Sequence, residues 1–549
     1  MKFRFLYTIV GLLLVLSFGR CAKRGTPTGG IRDSIPPIIV RSNPDNYTTN
    51  FDAEEVRITF DEFIKLKNLQ QNLIISPPME NSPEITPLTT SKSIRIRFLD
   101  TLRENTTYSI NFGESIVDNN EENPFEYYKY VFSTGDYIDS LKLSGKVRDA
   151  LLPNPEIPVT VMLYERNQAF NDSTIFNEKP TYITTTTDSL GSFELTNLKE
   201  GDYLLLALKE QNSDYIFQPK SDKIAFVEET VTLPTDSSYT LQLFKEIPDY
   251  KATTPRHLTK NHIVFGFENS QQATSLEVLS EVPDTFTAAS YWDREKDTLH
   301  YWFTPEITKD SLVFLASNNE QTDTLVTRIR ELFSDSLKID ALNAGLMVPK
   351  DTFRLQANTP ITAIDNSKIQ ILVSDSIPVN TSSRIDNQYN IIEIAFRKEY
   401  EKQYNVTILP EAFTDFFGKS NDTLTYKIRT QAVSEYGTLT LNLTNTQSFP
   451  LLVQLVNSKF KVVAEKYREE NTPILFENIS PGNYYVRLIY DTNQNKRWDA
   501  GRFLSRTQPE KVVYYPTVLE IRANWSLNET FNLNEKRLGP VETATDPEE

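Results

Sequence analysis

The chain has 549 residues, 39% hydrophobic and 11% aromatic, with a net charge of −17. That length allows roughly three to five domains of about 100–200 residues each, and the acidic balance argues against phosphate-backbone recognition, which needs basic patches. With 26 Tyr, 32 Phe, 17 Gly and 30 Pro, the composition suits short strands with Pro-marked boundaries better than helix bundles.

In chain order, residues 1–20 read as a signal peptide. Lys2 and Arg4 form a basic start, and Phe5 to Phe18 is an apolar run too short for a stable membrane span. It ends just before Cys21, the one cysteine of the chain. This arrangement resembles a bacterial lipoprotein signal, which implies cleavage before Cys21 and acylation of its thiol. Buried acyl chains, at about 0.8 kcal/mol per CH₂, then hold the protein at a membrane surface. Exported domains without further cysteines fold without disulfides. No later segment is long and apolar enough to form a spanning helix. Residues 21–35 are a Gly/Pro/Thr-rich tether that cannot bury a core.

From residue 38 the pattern has period two. Val56, Ile58 and Phe60 alternate with polar residues, as do Ile94, Ile96 and Phe98, then Tyr108, Ile110 and Phe112. This is the signature of strands with one buried face. With IPPIIVRSNPDN before it and YKYVFSTGD closing it, the stretch 36–136 resembles the Ig-like domain of bacterial S-layer and surface proteins, frequent in Bacteroidota lipoproteins. The resemblance implies a β-sandwich and an envelope location, and no activity.

Residues 137–248 contain LKLSGKVRDA and then TDSLGSFELTNLKEGDYLLLALKE. They resemble the small transthyretin-like or carboxypeptidase-regulatory-like β-sandwich, a supporting module. The pattern returns in 433–535 as ILFENISPGNYYVRLIYDTNQNKRWD, with Gly201 to Glu210 matching Gly482 to Asp491, 281 residues on. It is an internal repeat in which each copy is one sandwich. Residues 249–345 show alternating strands at Ile263–Phe267, Tyr301–Phe303 and Leu312–Leu315 and read as a further β-sandwich. Residues 346–432 repeat the order of Tyr108 to Gly135 and read as a second Ig-like sandwich. Residues 536–549 are a polar tail, read as disordered. The fold class is therefore all-β: tandem Ig-like and transthyretin-like sandwiches.

The densest set of possible ligands is Asp491, Asn493, Asn495 and Asp499. Their carboxylate and amide oxygens suit Ca²⁺, which takes six to eight hard oxygens. A complete EF-hand is excluded, because Lys496 holds the sixth position and Ser505 the twelfth. A shorter calcium loop and an Asn/Asp hairpin that bonds its own backbone both stay open; no other cofactor is indicated. The upstream copy has Glu210, Asn212, Asp214 and Gln218 at the same places. A second acidic run, Asp118 to Asn123, reads as a solvated loop.

Catalytic readings find little support. The three histidines are His257, His262 and His300, and no GxSxG, HExxH or CxxC is present. Trp292 and Trp302 suggest a sugar platform, against the commoner reading as core. Asp followed by Ser or Thr and a small or aliphatic residue recurs more often than composition alone would give. It resembles the O-glycosylation acceptor of Bacteroidota, and implies acceptors at Ser34, Thr101, Ser140, Ser173, Ser189, Thr298, Ser311, Thr324, Ser336, Ser376 and Thr423. The same dipeptides also suit turns entering strands.

Together these readings predict a non-catalytic lipoprotein of the outer membrane, on the periplasmic leaflet or at the cell surface. Its role is structural or protein-binding, as an accessory subunit of an outer-membrane assembly or transport complex. The expected partners are the membrane, through the lipid, and envelope proteins; nucleic acid is not expected. The alternative is a carbohydrate-binding accessory of polysaccharide uptake.

Overall fold

The structure, a computed structural model, describes residues 34–269, 274–318, 321–374 and 376–534. The signal segment, Cys21, most of the tether and the tail 536–549 lie outside the described residues. Strands make up 48% of the chain and helices 3%. The chain divides into two units: one holds the described residues up to Leu141 with Thr181–Ile183 and Thr196–Lys199, and the other holds the rest.

The first unit is built on one sandwich. One sheet runs in the order Ile39–Asn43, Glu55–Leu66, Ser91–Arg97, Glu84–Thr86, with Ile116–Asp118 also paired to Glu55–Leu66. The other orders Ile74–Ser76, Thr107–Asn111 and Lys129–Ser133. The alternation read from the sequence sets the register: Val56 faces Ile96 and Ile58 faces Ile94 across the antiparallel pair. All four are fully buried, with Tyr108, Ile110, Phe112 and Phe132 closing the core from the other sheet. A one-residue slip would turn this set to water, at about 1.5–3 kcal/mol per large side chain.

The second unit contains four sandwiches, apart from Leu141, Thr181–Ile183 and Thr196–Lys199 of the first of them. In the first of them, the second of the chain, one sheet orders Tyr182–Thr185, Thr160–Glu165, Gly201–Lys209 and Lys223–Phe226, with Val231–Leu233 also on Gly201–Lys209. The last sandwich repeats the order: Val462–Arg468, Leu451–Val456, Gly482–Tyr490 and Val512–Tyr514, with Leu519–Ile521 also on Gly482–Tyr490. Each closes its second sheet with a parallel pair, Ser238–Leu243 on Leu141–Asp149 and Ser526–Asn532 on Gly437–Thr444. The 281-residue repeat thus extends to identical strand orders.

The third sandwich ends at Thr322–Arg328, and Ile339–Ala341 already pairs with Phe353–Ala357 of the fourth. The sequence division at 345/346 therefore falls inside the fourth sandwich. The edge strand Ile339–Ala341 is three residues long, too short to show a period. The first and fourth sandwiches share a finer device. Tyr108 Oη accepts from Arg103 N and Tyr404 Oη from Glu399 N, at 2.9 and 2.7 Å. Thr134 Oγ1 donates to Arg103 O and accepts from Thr106 N; Thr430 Oγ1 does the same with Glu399 O and Lys402 N.

Candidate functional site

The long strand Gly482–Tyr490 carries its chain out of the fifth sandwich into the loop that the sequence marks as a calcium candidate. All seven residues from Tyr484 to Tyr490 are buried, so the loop leaves from a rigid base. Asp491 is itself 1% exposed. Its Oδ1 accepts from Asn495 N at 3.1 Å and its Oδ2 from Lys496 N at 2.8 Å. Asn493 and Asn495 donate their amide nitrogens to Asp499 Oδ2 at 2.5 and 2.6 Å. Asn493 Oδ1 accepts from Asn495 N, and Asn495 Oδ1 from Arg497 N. The structure brings the four candidates together, but their oxygens are committed to the loop's own N–H groups. Calcium would have to take them away. Among the described residues no group of three or more His, Cys, Asp or Glu is arranged to hold a metal ion.

Sequence reasoning missed Glu510, which organises the other end of the loop. Its Oε1 accepts from Thr492 N and Oγ1 at 2.7 and 2.8 Å, and its Oε2 from Asp499 N at 3.2 Å. Trp498 Nε1 donates to its carbonyl at 3.0 Å. The carboxylate thus satisfies one end of the loop as Asp491 satisfies the other.

Between Asp499 and Glu510 the chain extends a short arm, closed by reciprocal bonds between Arg502 and Thr507. The arm docks on the second sandwich, its own upstream copy. Phe503 is fully buried, edge-on to Phe226 at 5.4 Å and to Phe176 at 6.4 Å. Its N–H donates to Glu246 Oε1 at 2.5 Å, a carboxyl whose pKa burial pushes above the usual value. Arg506 pairs with Asp172 and stands 4.4 Å over the Phe503 ring, and Arg502 pairs with Asp249 at 2.8 Å. Gln508 Nε2 donates to Phe226 O, and Tyr514 Oη to Leu151 O at 2.7 Å. Gly501 is needed for close approach: a Cβ there would lie 2.6 Å from Phe244 Cζ and 2.5 Å from Thr507 O. The loop is a clamp between repeats. Sequence reasoning missed this arm; the signal that could have found it is Trp498, Phe503 and Leu504 inside a mostly polar loop longer than its upstream counterpart.

The second acidic run is likewise self-bonded. Asp118, 2% exposed, accepts from Asn120, Glu121 and Glu122 N with Oδ1 and from Asn123 N with Oδ2. Glu122 bridges Lys65 and Lys67, both at 2.6 Å, and these ammonium groups bring its carboxyl down to about 2.

Of the proposed aromatic platform, Trp302 is 1% exposed and stacks on His262 at 3.9 Å, so it offers no face to a sugar. Trp292 does line a polar cleft of about 440 Å³ with Tyr389, Gln388, Arg294 and Arg497. The eleven Ser/Thr acceptor candidates all reach the surface. Ser34, Thr101, Ser140, Ser173, Ser189, Thr324, Ser336, Ser376 and Thr423 are exposed, while Thr298 and Ser311, each the first residue of a strand, are half-buried.

Among solved structures, the chain is similar to the S-layer protein rSbsC, at 12% identity over 83% of this chain and 64% of that one, with a TM-score of 0.14. It is also similar to the TIE protein of Bacillus anthracis, at 11% identity over 92% of this chain and 76% of that one, with a TM-score of 0.12. A third similarity is to Salmonella alpha-2-macroglobulin, at 10% identity over 90% of this chain and 43% of that one, with a TM-score of 0.14. No curated protein matches the chain. Residues 33–134 match the family described as bacterial Ig-like domain, and the sandwich of the first unit is therefore an Ig-like domain of the bacterial type.

Proposed function

We propose that this chain is a non-catalytic envelope lipoprotein, anchored through Cys21 at the outer membrane, with a structural or protein-binding role. The observation that carries the reading is the bacterial Ig-like match at 33–134, continued by sandwiches with filled interiors. The two acidic loops that chemistry would use are occupied by their own backbone, and the buried His262 is bonded to the half-buried His300. Fold alone does not assign a role; the assignment to an accessory of an outer-membrane assembly or transport complex rests on the lipoprotein resemblance. The surface position of the acceptor hydroxyls supports O-glycosylation at Ser34, Thr101 and the other nine sites.

The test is a gentle-detergent pull-down of the tagged full chain from native membranes, beside a Cys21→Ser variant. The expected result is recovery of outer-membrane barrels or other lipoproteins with the wild type, and loss of the variant from the membrane fraction. Recovery of the protein alone, or membrane retention of the variant, would overturn it. The cleft at Trp292 favours one second reading, binding of a neutral saccharide, since its Asp293, Glu295 and Asp297 balance Arg294, Lys296 and Arg497. Glycan-array binding abolished by Trp292→Ala would move the assignment there.

A further inference from the structure

The three histidines of the chain all lie in the third sandwich. Strand alternation puts two of them on the face of the sheet opposite its own core. Ile263, Phe265, Tyr301 and Phe303 point into that core. His262 pairs across the ladder with Trp302, and His300 with Val264 and Tyr291, so the histidines share the outer face. They form one column of rings. Tyr291 stacks on His300 at 4.8 Å and 11°, His300 on His262 at 5.1 Å and 19°, and His262 on Trp302 at 3.9 Å and 6°.

The fourth sandwich covers this column. Tyr291 Oη donates to Asn358 O at 2.7 Å, and Phe417 meets Trp302 edge-on at 6.0 Å. Trp292 N donates to Gln388 O beside it, at 2.7 Å. His262 and Tyr291 are each 6% exposed.

The bond within the column limits its charge. His262 Nε2 and His300 Nδ1 lie 2.9 Å apart, and neutral imidazoles share one hydrogen there, one nitrogen donating and the other accepting. A first added proton can sit on an outward nitrogen, such as His300 Nε2, 4.0 Å from Asp293 Oδ2. A second puts hydrogens on both facing nitrogens and breaks the contact.

The groups around the pair do little to help. From the third sandwich, Asp293 favours and Lys296 opposes a charge on His300, and His257 opposes one on His262. His257 is itself tied, its Nδ1 accepting from Arg330 N. Asp335 lies near Tyr291. From the fourth sandwich, Lys419 bonds Asp335 O, and the carboxylate of Asp415 is taken by Phe417 N, Lys419 N and Thr359 Oγ1.

We propose that the contact between the third and fourth sandwiches is an acid-labile joint, held by the neutral His262–His300 pair and released when that pair is protonated. Release uncovers the aromatic outer face of the third-sandwich sheet. Burial depresses the pKa of all three histidines, bringing His262 to about 3. An opened joint takes up protons near the ordinary histidine value of about 6.5. The closed joint is therefore fully favoured above that pH and loses ground as the pH falls below it.

The experiment is hydrogen exchange on the full chain at pH 7.5 and 4.5, corrected for intrinsic rates, tracking peptides over 298–304, 353–357 and 413–417. Two pH units below 6.5, each histidine kept neutral only in the closed state shifts the opening equilibrium by up to about 100-fold. Protection is expected to fall at least ten-fold at the joint while peptides over 451–456 and 484–490 hold. Asp293→Asn is expected to deepen the loss of protection at pH 4.5, because it removes the carboxylate that helps the closed joint hold the first proton. Unchanged protection at pH 4.5, an equal loss in all sandwiches, or a loss in Asp293→Asn no deeper than in the wild type would each overturn the proposal.

Discussion

The two transthyretin-like sandwiches share strand order and closing pair, and differ in the segment that leaves their longest strand. In the upstream copy the chain re-enters the sheet between Lys209 and Lys223; in the downstream copy the excursion lasts from Tyr490 to Val512. Both begin on an acidic residue that accepts from a backbone N–H five residues on: Glu210 from Tyr215 and Asp491 from Lys496. Both cross-link with side chains, Gln218 Nε2 to Asp214 Oδ2 upstream and Asn495 Nδ2 to Asp499 Oδ2 downstream. The shared part is turn chemistry. The added part, the arm around Phe503, binds one copy to the other, together with the Tyr514–Leu151 bond from the returning strand.

The comparison breaks most visibly at Phe503. Replacing this buried ring by alanine is expected to cost about 3–5 kcal/mol at the clamp, read by urea denaturation with peptides of the second and fifth sandwiches resolved by hydrogen exchange. Gly501→Ala should come next, at about 1–3 kcal/mol, because the methyl meets Phe244 and the Thr507 carbonyl. A double-mutant cycle on Arg506 and Asp172, whose side chains are 23% and 41% exposed, is expected to give about 0.2–1 kcal/mol and to shrink in salt.

Glu210 sharpens the contrast by pH. Burial raises its carboxyl pKa above the ordinary glutamate value. The folded state therefore binds its proton more tightly than the unfolded state does, and this favours folding at low pH and fades as the pH rises through the folded value. Glu210→Gln is expected to raise Tm at pH 7 and to leave it unchanged at pH 3. The smallest expected effect is that of calcium. A site of about 10 μM affinity would stabilise the chain by about 2.7 kcal/mol at 1 mM calcium, whereas the self-bonded Asp491 loop is expected to show no shift of Tm between EDTA and 1 mM calcium.

Much of this was legible in the sequence where one physical rule acts alone. Val56, Ile58 and Phe60 alternate, and all are buried; the hydrophobic pattern decides which way such a strand faces. The repeat of Gly201–Tyr203 at Gly482–Tyr484 was visible because each glycine precedes a tyrosine whose ring packs over it, with 3.5 Å from the ideal Cβ in both copies. The clamp was not legible. Asp491, Asn493, Asn495 and Asp499 look the same whether their oxygens meet a cation or an N–H, and only the backbone path decides. For Trp302 the platform stood beside the commoner core reading, because a sequence cannot say that the outer face of one sheet is covered by another sandwich. Glu510 lies beyond the spacing of the motif and meets Thr492 only through the fold.

The most direct test of the clamp is hydrogen exchange at the strand Lys223–Phe226 and over residues 500–508, in the wild type and in Phe503→Ala. If the arm holds the two copies together, both segments are slow in the wild type. The substitution then speeds both by ten-fold or more, while the core strand Gly437–Thr444 keeps its protection. If both segments exchange at the same rate in the two proteins, and calcium alone slows residues 491–499, the loop is a metal site and the clamp account is wrong.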